Sequence, residues 1–232
     1  MNDLKGRYEF MGRLICAEWY RFWRSSNLRL YLCLFLLLCI ASADLSFLFL
    51  PIMTSVSIGI LYYYKTGYYE VIAGHKISHI ILSKLCVDGV FISVVSTMVA
   101  VSLFLYDGAR NGFEGLEHIP LRITLFTVIM LRVGCAGVLF GEIVKSPLAA
   151  IFAWMRSCVG MFAFMLVQLI EVSYSKELIT SIYNCLIIWQ VQVVFSEPIN
   201  VETACTICVT AVIEVMLWYS IAFITMKRKM YR

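Results

Sequence analysis

Charged side chains are scarce in this chain of 232 residues, since Asp, Glu, Lys and Arg together make up 15%. Hydrophobic residues make up 61%, whereas soluble domains are roughly 45–50% apolar and about 25% charged. A soluble domain of this length exposes far more polar positions than this composition supplies. The sequence therefore predicts an all-α, polytopic membrane protein with a single transmembrane domain over residues 1–232.

Several motifs that carry chemistry are missing. No GxxxxGK[ST] loop occurs, so the chain lacks the usual means of holding ATP phosphates. The nine cysteines lie mostly within apolar runs, and the CTIC motif at Cys205–Cys208 has no second pair or nearby histidine. We therefore predict no catalytic residue, no metal site and no cofactor in this chain. A net charge of only +4 gives no reason to expect a nucleic-acid partner.

The apolar runs define the expected spans. The run from Leu30 to Tyr64 would be about 50 Å long as one helix, against a hydrocarbon core of about 30 Å. We expect it to fold back at Ser42–Asp44. A further apolar segment, 178–195, contains Gln190 and Gln192 and is predicted to be re-entrant. The six predicted spans lie near residues 28–43, 46–64, 86–106, 121–141, 148–170 and 203–226.

The distribution of Lys and Arg predicts the orientation, because cytoplasmic loops carry an excess of both. With the N-terminus inside, fourteen of these residues lie in inner segments and two, Arg110 and Lys176, in outer loops. A re-entrant segment at 178–195 also keeps the basic C-terminal tail inside. Both termini are therefore expected in the cytoplasm of a bacterial cell, with the chain in its inner membrane.

Two polar segments lie outside the predicted spans, and the one between the second and third spans is longer than a turn requires. Residues 1–28 mix aromatic and basic side chains, as in EWYRFWR, and are predicted to lie along the inner leaflet. Residues 65–85 connect the second and third spans and are predicted to form a cytoplasmic helix. Five polar residues of the latter are expected to face the cytoplasm (Glu70, His75, Lys76, His79, Lys84), and five apolar ones the membrane (Val71, Ile72, Ile80, Ile81, Leu85).

This layout, with EWYRFWR before the first span and YYEVIAGHKISHIILSKL before the third, resembles the permeases of type II ABC exporters. The resemblance implies a coupling helix that contacts a separate ATPase, which supplies ATP and Mg²⁺ chemistry, and a second permease copy or relative. It assigns ATPase coupling to Glu70, Gly74, His75, Lys76 and His79. Within the family, the chain looks most like permeases for peptides such as lantibiotics or phenol-soluble modulins. The alternatives are a substrate-binding subunit of a vitamin importer and an intramembrane enzyme.

Three charged residues are predicted at bilayer depth, where each costs about 2.5–3.5 kcal/mol and faces protein or water. They are Arg132, Arg156 and Glu214. An ion pair of Glu214 with either arginine is the simplest arrangement, and locking the bundle is favoured over binding cargo. The fourth span also carries Gly134 and the GxxxG pair Gly137 and Gly141, for which packing within the chain is favoured over a dimer contact.

Overall fold

The computed structural model describes residues 2–24, 43–63, 75–111, 118–170, 185–196 and 199–230. These residues form helices and connections without a β-strand, so the predicted all-α class is confirmed for them. The first predicted span falls almost wholly outside the described residues. The helices are α1 (Asn2–Arg24), α2 (Ala43–Tyr63), α3 (Ile77–Asn111), α4 (Ile119–Val144), α5 (Ala149–Ile170), α6 (Ile187–Ser196) and α7 (Val201–Met230).

Within the described residues, three helical stretches are long and apolar enough to cross a membrane: Ile77–Tyr106, Ile119–Val144 and Val201–Arg228. Two shorter apolar stretches, Leu50–Ile60 in α2 and Ala149–Gly160 in α5, accompany them. The helical stretches, like the composition, are those of a membrane protein.

Helix α4 lies at the centre and contacts α2, α3, α5, α6 and α7. Its glycines allow α2 to approach closely, since an added β-carbon at Gly137 would lie 2.5 Å from the Pro51 carbonyl oxygen. At Gly141 it would lie 2.6 Å from the β-carbon of Ile58. The Thr54 hydroxyl also donates to the Gly134 carbonyl at 3.2 Å. The GxxxG face therefore packs within the chain, which confirms the favoured interpretation.

The contacts along α4 fix the direction of its neighbours. Residue numbers rise together in α2 and α4, from Leu50 beside Gly134 to Ile58 beside Gly141, so these two helices are parallel. Helices α3 and α4 are antiparallel, because Thr97 lies 3.3 Å from Thr127 whereas the earlier Lys84 lies 2.7 Å from the later Glu142.

Helices α4 and α7 are also parallel, whereas α5 is antiparallel to both. Arg132 of α4 contacts Glu214 of α7, and further along each helix the rings of Phe140 and Trp218 have centroids 4.5 Å apart. In α5, Ala153 packs at the level of Trp218, and the later Arg156 reaches back to Glu214. Both α4 and α7 therefore begin at the same end of the bundle.

The N-terminal helix α1 packs along α3. The rings of Phe22 and Phe91 have centroids 4.8 Å apart, and Leu14 and Glu18 are buried. Trp19 and Trp23 are exposed. This helix therefore has one face against the bundle and an aromatic face away from it.

The structure corrects one boundary. Helix α3 begins at Ile77 and continues without a break to Asn111, so the second half of the predicted segment 65–85 belongs to a helix that is long and apolar enough to cross a membrane. Ile80, Ile81 and Lys84 are buried in the bundle. The expectation that Lys84 faces the cytoplasm is therefore wrong, as is the expectation that Ile80 and Ile81 face lipid. The physical reason is a buried acid, Glu142, which pairs with Lys84.

Candidate functional site

Three charged side chains meet between the central helix and two of its neighbours. Arg132 projects from α4, Arg156 from α5 and Glu214 from α7. Their side chains are 9%, 16% and 17% exposed. Sequence reasoning left open which arginine pairs with Glu214, and in the structure both do.

Each of the two guanidinium groups bonds to a different oxygen of the Glu214 carboxylate. Arg132 Nε donates to Glu214 Oε2 at 2.5 Å, and Arg156 Nε donates to Glu214 Oε1 at 2.9 Å. Arg156 Nη2 also donates to the same Oε1 atom. Trp218, one turn further along α7, places its indole Nε1 3.3 Å from Oε1. Charged donors of this kind make the strongest hydrogen bonds, and the apolar surroundings strengthen them further.

Polar groups extend the site from Arg132 toward α6. Arg132 Nη1 donates to Gln190 Oε1 at 2.9 Å and lies 3.4 Å from the Thr210 hydroxyl, to which Gln190 Nε2 also donates at 3.0 Å. Arg132 Nη2 donates to the Cys185 carbonyl at 3.3 Å. Arg132 thus joins three helices and holds a backbone carbonyl beside the start of α6, where backbone polar groups need protein partners.

The site follows from helical spacing. Thr210, Glu214 and Trp218 are four residues apart, so α7 presents all three on one face. Sequence analysis identified the two arginines and Glu214 but did not assign Gln190, Thr210 or Trp218 to the site. The i, i+4 spacing on α7 and a glutamine within an apolar run were the available signals.

A cavity of about 260 Å³ opens beside the charged cluster. Arg132, Arg156 and Glu214 form its charged wall. The apolar part of its lining comes from two helices, with Val159, Gly160 and Ala163 on α5 and Ile187 and Ile188 on α6. The site therefore combines a fixed charge group with space for an apolar ligand.

A second buried ion pair was missed by sequence reasoning. Lys84 Nζ lies 2.7 Å from Glu142 Oε1, and the side chains are 1% and 0% exposed. Glu142 follows the predicted fourth span, 121–141, by one residue and lies in the last turn of α4, which ends at Val144. Asp88 follows Lys84 by one helical turn. The pair joins the first turns of α3 to the end of α4.

The predicted coupling residues are only partly described. Glu70 and Gly74 lie outside the described residues. His75 and Lys76 directly precede α3, and His79 lies in its first turn, where its amide donates to the Lys76 carbonyl at 2.9 Å. Lys76 is exposed, whereas both histidines are half-buried. These three residues therefore lie at one end of the bundle, a few residues before the Lys84–Glu142 pair.

Among the described residues, no group of three or more His, Cys, Asp or Glu side chains is placed to hold a metal ion. The seven cysteines in those ranges are free thiols. Comparison of the chain with models of protein families, with curated proteins and with solved structures finds no match. Function is therefore inferred from the chain's own residues.

Proposed function

We propose that the chain is the permease subunit of an ATP-driven exporter, which moves a hydrophobic or amphipathic cargo, such as a peptide, out of the cell. A separate ABC ATPase supplies the energy, and a second permease copy or relative completes the pathway. The observation that carries this proposal is the direction of the helices. Helices α4 and α7 are parallel, and α5, which lies between them in the sequence, is antiparallel to both.

This order supports a re-entrant segment before the last span. Because α5 is antiparallel to α4, it ends toward the end of the bundle where α4 and α7 begin. Helix α6 has ten residues, about 15 Å, which is half of a hydrocarbon core of about 30 Å. It lies between the level of Arg132, bonded to Gln190, and that of Arg122, which donates to the Val194 carbonyl at 2.7 Å.

Two arginines of α4 thus hold this half-length helix. Cys185, whose carbonyl Arg132 binds, lies just before α6, and Val194 lies in its last turn, where carbonyls lack partners within the helix. Six spans plus such a re-entrant segment correspond to the layout that the resemblance to type II ABC exporters implies. They also keep the basic C-terminal end of α7 on the same side as the start of α3.

The start of α3 is a suitable place to receive force from an ATPase. Lys76 is exposed there, and Lys84 is fixed to Glu142 by a buried ion pair two turns further along. A displacement of the α3 start would therefore act directly on the end of α4. Helix α4 contacts most of the bundle, so this movement would reach the charged cluster at Arg132.

The direct experiment purifies the tagged chain with the ATPase subunit that accompanies it and measures ATP hydrolysis in lipid vesicles. We expect Lys76→Glu to lower the permease-dependent rate about tenfold, as charge reversal does at a docking surface. Lys227→Glu is the matched control, because Lys227 is also an exposed lysine at the basic end of the bundle. It should leave the rate unchanged.

Three results would contradict the proposal. The first is that no ATPase accompanies the chain, or that hydrolysis is indifferent to Lys76. The second is chemical turnover of a lipid or peptide by the chain alone, which would indicate an intramembrane enzyme. The third is tight binding of a water-soluble vitamin, which would indicate an importer subunit.

A further inference from the structure

We infer that the cavity beside Arg132 and Arg156 binds the single carboxylate of an amphiphile, with the apolar part of that ligand against α5 and α6. The identification of this ligand as cargo rests on the proposed exporter function. The binding itself does not depend on that function.

The charges of the cluster do not cancel. Two guanidinium groups face one carboxylate, so Arg132, Arg156 and Glu214 together carry a formal charge of +1. Glu214 is the only acid among the described residues that line the cavity. A buried net charge is costly at bilayer depth, and one added negative charge would neutralise it.

The two arginines differ in the hydrogen-bond donors that they leave free. Arg132 uses Nε for Glu214, Nη1 for Gln190 and Nη2 for the Cys185 carbonyl. Arg156 directs both Nε and Nη2 to one oxygen of Glu214, and its Nη1 has no partner among the described residues. Arg156 therefore has a donor to offer a ligand, whereas Arg132 has a positioning role toward α6.

The rest of the cavity suits an apolar chain. Val159 and Ala163 of α5 line it together with Ile187 and Ile188 of α6, and an added β-carbon at Gly160 would meet nothing within 4 Å. The volume of about 260 Å³ is slightly below the roughly 300–1,000 Å³ of drug-sized sites. This volume is large enough for a carboxylate and the first part of its chain. The remainder can lie along the exposed side chains of Val159 and Phe162.

The depth of the site favours a carboxylate over a phospholipid headgroup. Arg132 lies thirteen residues after Ile119, the first residue of α4, which corresponds to about 20 Å along the helix. Lipid headgroups lie outside the hydrocarbon core, which is about 30 Å thick. A phosphate monoester, such as that of phosphatidic acid, carries up to two charges, which is more than the cluster's +1 requires.

The test uses the full-length chain in nanodiscs of zwitterionic phosphatidylcholine, without any ATPase. The probes are a fatty acid with a fluorophore at its apolar end, its methyl ester and the phosphate monoester of the same chain. We expect the acid to bind about tenfold or more tightly than the ester, the range of one charge-assisted hydrogen bond of about 1.5–3 kcal/mol. The phosphate should bind less tightly than the acid.

Variants locate the binding. Arg156→Gln should abolish the preference for acid over ester, Arg156→Lys should retain part of it, and the exposed Lys227→Gln should leave it unchanged. Glu214→Gln should tighten acid binding about tenfold, because the carboxylate that competes for Arg156 is lost. A cluster that only locks the bundle predicts no such gain. If Glu214→Gln does not fold, the acid–ester difference in Arg156→Gln decides.

Equal affinity for acid and ester would overturn the inference, and so would an acid preference that survives Arg156→Gln. Tighter binding of the phosphate would assign the site to a phosphate monoester, the group that phosphatidic acid carries, and would overturn the carboxylate. Since the assay contains no ATPase, each of these results leaves the exporter proposal to its own experiment.

Discussion

At the scale of single residues, two sets of oppositely charged partners lie between the helices of the described bundle. Lys84 has Glu142 at 2.7 Å, and Glu214 has both Arg132 and Arg156. An ion pair of this kind adds little net stability relative to well-packed apolar residues, because desolvation offsets the attraction. Removing one partner lowers stability strongly, because the other charge then remains in an apolar interior without its counter-charge.

The Lys84–Glu142 pair should therefore be more sensitive to the loss of one partner than to the loss of both. Lys84→Met should lower the free energy of unfolding by about 3–5 kcal/mol, because Glu142 loses its charged partner. The double variant Lys84→Met/Glu142→Leu should recover most of that loss. Denaturant-induced unfolding in mixed micelles, followed by tryptophan fluorescence, provides the measurement.

The control for this pair is Lys227→Met, which removes an exposed lysine near the end of α7 and should change stability little. Additive losses in the double variant would contradict the prediction, because they would mean that the two side chains act independently. Coupling between them is the quantity that the experiment isolates.

At the scale of helices, glycine positions determine how closely α4 and α2 approach. A β-carbon at residue 137 would lie 2.5 Å from the carbonyl oxygen and 2.8 Å from the α-carbon of Pro51, so backbone would have to move. At Gly160 of α5 an added β-carbon meets nothing within 4 Å. The two glycines therefore form a matched pair within apolar helices.

We predict opposite outcomes for alanine at these two positions. Gly137→Ala should destabilise the protein by about 1–3 kcal/mol through overpacking. Gly160→Ala should be neutral or slightly stabilising, since alanine favours helix by about 1 kcal/mol relative to glycine. Thermal unfolding of both variants in the same detergent tests this, and equal losses would show that the contact with α2 does not set the cost.

The helices show how far sequence alone can predict this fold. Apolar runs predicted helices at α2, α4, α5 and α7, and the GxxxG pattern of α4 favoured packing within the chain over a dimer contact. The start of α3 was missed because Lys84 looks like a polar boundary until its partner Glu142 is known. Two residues 58 positions apart in the chain carry no local signal of their contact.

The candidate site shows the same limit. Charge within apolar runs was sufficient to identify Arg132, Arg156 and Glu214. Gln190 and Thr210 were not assigned, because their role depends on α6 lying beside α4 and α7. Hydrogen bonds from Arg132 to α6 and α7 are tertiary contacts that helical periodicity does not encode.

At the scale of the whole molecule, the helix directions place distant parts of the chain at one end. The end of α4, the connection at Ser146 and the end of α7 lie together, because α4 and α7 are parallel. The start of α7 lies at the other end, and Ile199 and Asn200 precede it. The excess of Lys and Arg predicts that the first of these ends is cytoplasmic.

This arrangement is testable by labelling with a membrane-impermeant maleimide in a background without the nine native cysteines. Lys227→Cys and Ser146→Cys should react only when the cytoplasmic face is accessible, as in inverted vesicles. Asn200→Cys should react from outside, in intact spheroplasts.

If the segment between α5 and α7 crossed the membrane completely, α7 would have the opposite direction, and Ser146→Cys and Lys227→Cys would react from different faces. We expect Ser146→Cys and Lys227→Cys to react from one face and Asn200→Cys from the other. This result requires that the segment between α5 and α7 enters and leaves the membrane on the same side.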